Sequence, residues 1–169
     1  MLTWVNSTGG PLICGESAGL AAWKGISGSS EGDGAQPDYE RACKTTAYLE
    51  AIAVGGATAL ILGDAPMQST FVAVAADKLR IARWIAAPSD EASEVLLRGP
   101  DTGLVGAGPP VQFDITGQEL YMFDSSASWR QGKTEAAVSL VQPGTYIVTT
   151  EKLTSPDKMA FIIHRFLPR

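Results

Sequence analysis

Two adjacent glycines, Gly55-Gly56, stand between the β-favouring runs 48–54 and 58–62. Paired glycines reach the positive φ of a primed two-residue turn, whose twist matches that of the flanking strands, so this stretch predicts a hairpin. The pattern recurs in runs 111–116 and 119–123 around Gly117-Gln118, and a further strand-rich stretch follows each (70–87 and 134–166). The likeness makes two related halves one architecture to test, with a chance repeat as the equal alternative. Runs 1–7 and 11–14 around Thr8-Gly9-Gly10-Pro11 predict a small N-terminal hairpin. Runs 136–141, 145–152 and 159–166, separated by Pro143-Gly144 and Ser155-Pro156-Asp157, predict a three-stranded meander. Alternation along the last of these puts His164 on a strand face.

One segment reads firmly as helix. Residues 90–98 have Ser89 as N-cap, Asp90 and Glu91 in the first turn, and Gly99-Pro100 as terminator. A brief helix over 17–24, capped by Ser17, and one or two turns after Asp38 as N-cap, with Arg41 beside it, are further expectations. Between them 25–37 reads as a Gly/Ser-rich acidic loop. Gly103, Gly106 and Gly108 precede Pro109-Pro110 and miss the dinucleotide spacing, so they read as a loop and not a phosphate cradle. The fold class expected is mainly β (α+β): antiparallel sheets and meanders with a helix near 90–98, in a single domain over 1–169. At 45% hydrophobic and 18% charged residues the chain is too apolar for a disordered tail, and it is long enough to bury a core without disulfides or metal.

Charge narrows the partners. A net charge of -5 disfavours nucleic acid and anionic membrane surfaces, both of which demand excess Lys and Arg. Between positions 31 and 64, Glu31, Asp33, Asp38, Glu40, Glu50 and Asp64 face only Arg41 and Lys44. Exposed on one side, this stretch steers a cationic partner; the alternative is a solvated surface that keeps the protein soluble. The first 23 residues carry no Lys or Arg and no uninterrupted apolar run, unlike a signal peptide. The most apolar window, 51–63, is shorter than a bilayer span and broken by glycine, so a cytoplasmic protein is expected.

The sharpest enzymatic motif is Gly15-Glu16-Ser17-Ala18-Gly19, which matches the nucleophile elbow of α/β-hydrolases. His164 follows it in the chain, with Asp64, Asp114 or Asp124 available between them. Against that reading, only 14 residues precede the motif, the βαβ alternation is missing, and His164 lies within a strand interior. Cys14 and Cys43 have neither the spacing of a zinc set nor that of a disulfide framework and read as reduced, buried thiols. The pairs Asp38 with Glu40 and Asp90 with Glu91 are explained by helix N-termini, which favour negative charge. The four tryptophans are dispersed and read as core. No cofactor and no metal follows from these residues. A small-ligand-binding β domain remains a further alternative.

Several motifs taken together carry a resemblance. They are Trp4-Val5-x-Ser7-x-Gly9-Gly10-Pro11-Leu12, then Asp38-Tyr39-x-Arg41-Ala42-Cys43, then Tyr48-Leu49 leading to Val54-Gly55-Gly56, and Ala59-Leu60-Ile61-Leu62-Gly63-Asp64-x-Pro66. This pattern resembles the immunity protein 21 family of bacterial polymorphic toxin systems. The likeness continues through 120–125, Pro143-Gly144-x-Tyr146 and Ile163-His164-Arg165, while 29–36 and the Trp129 region fit no part of it. The resemblance implies a cytoplasmic antidote that binds a cognate toxin stoichiometrically and blocks it without chemistry. With it, the acidic stretch is expected to meet a basic nuclease, with Glu31, Asp33, Asp38, Tyr39, Glu40 and Asp64 as contact residues.

Overall fold

A computed structural model describes residues 1–63, 65–75 and 78–169. Ten strands among the described residues form two five-stranded antiparallel sheets. The first sheet runs in the order β2 (Glu50–Val54), β3 (Ala57–Leu62), β1 (Leu12–Gly15), β7 (Glu119–Asp124), β8 (Ala137–Leu140). The second runs β4 (Ser69–Ala75), β5 (Lys78–Ala86), β10 (Ala160–Pro168), β9 (Gly144–Thr154), β6 (Leu104–Ile115). Four short helices join them: α1 (Ser17–Leu20), α2 (Asp38–Cys43), α3 (Asp90–Leu97) and α4 (Trp129–Gly132). The mainly β class read from the sequence is the one observed.

Strand alternation divides the apolar residues into layers. Leu12 and Cys14 of β1 join Leu60, Met122, Phe113, Val148 and Phe166 in a core made by both sheets. Ile13, between them in the chain, points the other way into a cluster with Leu20, Trp23, Ala42 and Phe123. On the second sheet Phe161 and Ile163 meet Val72 and Leu97. The molecule is therefore a two-sheet sandwich with α1 and α2 covering one outer face and α3 the other. Each large side chain buried this way contributes roughly 1.5–3 kcal/mol against its exposed state.

The β2–β3 hairpin forms as its turn chemistry requires, pairing Val54 with Ala57, with Gly55 and Gly56 at φ +58° and +79°. Helix α3 begins as read, Ser89 Oγ accepting the Ala92 N–H. Three other pairings differ from expectation. β6 and β7 lie in different sheets, so no hairpin surrounds Gly117-Gln118. The Glu16 carboxylate instead takes the N–H groups of Thr116 and Gly117, fixing a crossing between sheets. This removes the second element on which two related halves rested. β8 pairs with β7, not β9, which leaves β9–β10 as the hairpin of the expected meander. Val5 bridges Ser69 of the second sheet, and β1 pairs with β3 and β7, so the N-terminal hairpin does not form. In each case a turn signal marked where the chain reverses but not which sheet receives it, a choice made by distant apolar faces.

Smaller corrections concern caps and loops. The N-caps of α1 and α2 are Glu16 and Pro37, so Ser17 and Asp38 are first helical residues. Gly106, Gly108 and Pro109-Pro110 lie within β6, an edge strand whose register shifts at both glycines. An edge tolerates proline because the missing N–H faces no second neighbour.

Candidate functional site

Residues 24–37 carry only one short 3-10 turn, Gly25–Ser27, yet the segment is tied down at several points. Trp23 is buried, and its indole N–H donates to the Ser125 carbonyl at 3.0 Å. Gly25 then follows at φ +59°, so close to the 126–127 backbone that a Cβ would lie 2.3 Å from the Ser126 carbonyl oxygen. Only glycine fits there.

Asp38 is the post around which the loop is built. Its side chain is 0% exposed and accepts the Lys24 N–H at 2.8 Å, the Ser30 N–H at 2.9 Å and the Ser30 hydroxyl at 2.8 Å. Arg41, one helical turn on and 13% exposed, donates to it at 3.0 Å. The same guanidinium reaches the Ala53 carbonyl on edge strand β2 at 2.8 Å and the Glu31 carboxylate at 3.2 Å. Buried carboxylates need this kind of saturation, since an unpaired one is expelled or protonated. Asp38 was expected among the contact residues; its carboxylate is internal, and it holds the loop where others are displayed.

The displayed acids are Glu31, Asp33 and Glu40, all exposed. Glu40 accepts from the Gln36 side-chain amide N–H at 3.1 Å, and Lys44 donates to the Gln36 side-chain oxygen. Tyr39 is half-buried, its ring lying so close over Gly10 that a Cβ there would sit 2.4 Å from the phenol oxygen. A hydrogen bond with the Cys43 side chain, burial, and the nearby Cys43 and Asp124 charges raise the phenol above its ordinary value. Three segments singled out in the sequence converge beside it: Gly9-Gly10-Pro11, Ala42-Cys43 and Gly63 with Ala65-Pro66 line a cavity of about 180 Å³. Asp64, also expected at the interface, lies outside the described residues.

Cys43 is exposed, contrary to expectation, because α2 turns that face outward; Cys14 is buried, and burial pushes its thiol far up. Both are free thiols. Among the described residues no group of three or more His, Cys, Asp or Glu side chains could hold a metal ion, and no helix is long and apolar enough to cross a membrane.

Ser17 and His164 are not brought together. Ser17 is exposed at the start of α1, lining a groove with Thr116, Gly117 and Leu140. His164 is 0% exposed on β10, on the face it shares with Phe166, and its Nδ1 lies 3.0 Å from the Thr150 hydroxyl. A serine nucleophile needs its base within hydrogen-bond reach, and this geometry separates the two. A fluorophosphonate probe is therefore expected to leave Ser17 unlabelled, and Ser17→Ala to change stability by less than about 0.5 kcal/mol. Labelling lost in that variant would restore the hydrolase reading.

His164 has a consequence for stability instead. Burial, together with the Arg83 guanidinium from β5, holds its pKa well below 6.5, so the folded protein keeps it neutral. Its Nε2 has no hydrogen-bond partner among the described residues. Because the folded-state value is the depressed one, stability is fully present above about pH 6.5 and declines as pH falls below it. The slope is at most about 1.4 kcal/mol per pH unit. Thermal melts across pH 7 to 5 should show this slope in the parent protein and a flatter one in His164→Gln; identical slopes would contradict the assignment.

Sequence reading placed Arg41 beside Asp38, as observed, but not its reach to the Ala53 carbonyl, and it missed Asp124 as a surface organiser. Asp124 ends β7 and accepts the Thr8 N–H at 2.6 Å, the Thr8 hydroxyl at 2.7 Å and the Ser126 N–H at 2.9 Å. Burial pushes its carboxyl up, but the Ser126 and Thr8 donors outweigh that and hold it below its ordinary value. The available signal for Arg41 was its spacing three residues after Asp38. None existed for Thr8 and Asp124, 116 residues apart. Compared with known proteins, residues 3–159 of the chain match a family model described as Immunity protein 21. No curated protein and no solved structure matches.

Proposed function

The chain belongs to the immunity protein 21 family, and from that premise we propose that it is a cytoplasmic antidote that binds one cognate toxin domain in a stoichiometric complex, without catalysis. The observation that carries the choice of surface is the saturated Asp38 post, which fixes an otherwise irregular loop so that Glu31, Asp33 and Glu40 are presented in advance of binding. Holding a loop in its bound form reduces the ordering cost of association.

A basic nuclease suits this surface, because exposed carboxylates both attract it and stand in for the phosphates it binds. Charge of this kind governs encounter rate and salt dependence more than final affinity. Affinity needs a desolvated anchor, and Tyr39, held over Gly10 beside the acids, is the candidate. Co-expression with the product of the adjacent gene tests the reading. Relief of its toxicity together with co-purification supports it, and a toxic neighbour that is neither bound nor neutralised counts against it.

A further inference from the structure

One side chain on the posted loop has no local reason to be what it is. Ile26 is 66% exposed within the short turn Gly25–Ser27. Ile85, Val105 and Val138 are exposed too, but they lie in strands β5, β6 and β8, where β-branching is itself favoured. A turn gives no such preference, since turns select Gly, Pro, Asn, Asp and Ser.

The backbone beneath Ile26 is fixed on both sides. Gly25 is wedged against Ser126 and Ala127, and the Ile26 N–H donates to the Ser126 carbonyl at 3.0 Å. Just before it, the Trp23 carbonyl accepts the Trp129 N–H at 3.0 Å. Beyond it, the Asp38 N–H donates to the Gly28 carbonyl at 2.8 Å, while the Asp38 carboxylate takes the N–H groups of Lys24 and Ser30. The turn is thus closed at its base, and Glu31 follows where the closure ends. An exposed apolar knob and the displayed acids therefore belong to one preformed unit.

We propose that Ile26 is an apolar anchor of the toxin complex, in addition to Tyr39, and that it enters an uncharged pocket of the toxin rimmed by basic side chains. Glu31 and Asp33, exposed on the same loop, set the sign of that rim. A side chain already held by its own backbone loses little freedom on binding, and charged neighbours around it exclude water from the contact. The inference rests on the antidote reading and divides the work within it. The acids govern encounter, and Ile26 governs how long the complex lasts.

The test measures association and dissociation with the toxin encoded by the adjacent gene, alongside thermal melts of each variant. Ile26→Ala should raise the dissociation rate about tenfold or more, equally at low and high salt, with association within about twofold of the parent. Ile26→Val should stay within about threefold of the parent. Val95, 78% exposed on α3 across the molecule, supplies the control, and Val95→Ala should leave both rates unchanged. Every variant should keep the parent melting temperature, because these side chains are solvated in the free protein. Unchanged dissociation in Ile26→Ala, or the same increase in Val95→Ala, overturns the anchor and leaves the antidote reading standing. A lowered melting temperature in Ile26→Ala also overturns it, by showing that the side chain packs within the fold. A parent protein that binds no toxin overturns the antidote reading and this inference with it.

Discussion

Changing Glu31, Asp33 and Glu40 together to lysine should slow association with the toxin by about 10–100-fold at low ionic strength, with a much smaller change in dissociation. These three carboxylates are exposed, and none buries its charge in the fold. The substitutions change the field around the loop and keep the Asp38–Arg41 pair, while Glu31→Lys also takes from Arg41 its second carboxylate, so an unchanged melting temperature is the control for the loop's geometry. The effect should shrink as salt is raised, since the Debye length falls from about 30 Å at 0.01 M to about 8 Å at 0.15 M. Stopped-flow association at several salt concentrations measures this directly. A rate that matches the parent at the lowest salt would mean that the loop lies away from the encounter path.

Asp38→Ala is expected to be the most damaging single change to the loop. It removes the acceptor shared by Lys24 and Ser30 and leaves Arg41, 13% exposed, without its closest carboxylate. Breaking a buried pair from one side costs roughly 3–5 kcal/mol, here eased by the Glu31 and Ala53 contacts that Arg41 keeps. For a chain of this length that is a fall in melting temperature of about 10 °C. Asp38→Asn should recover part of it, because the amide oxygen still accepts from the backbone. A melting temperature unchanged in Asp38→Ala would show that the carboxylate is solvated, as a residue on an open surface is.

Asp38 also illustrates what was legible in the sequence. A carboxylate ahead of a short helix usually sits in water, and its burial here depends on N–H groups at 24 and 30, which no local pattern announces. Arg41 was the visible part of the device. Elements whose determinants are local were legible: Gly55-Gly56 fixes its own turn, and Ser89 with Gly99-Pro100 brackets its own helix. Partner choice between strands was not. The run after Gly117 looks like the return arm of a hairpin, but Glu16, 100 residues earlier, takes the Thr116 N–H that a turn would have used, and β7 goes to β1. The acidic character of 31–40 was plain in composition, while its division into displayed and internal acids required the fold.

The most direct measurement for the account is a titration of the toxin's activity against this protein at fixed toxin concentration, well above the dissociation constant. Stoichiometric blockade predicts a linear fall that reaches zero at one equivalent and does not deepen with incubation. Full inactivation by a small fraction of an equivalent, progressing with time, would contradict it and show that the protein acts on the toxin by chemistry.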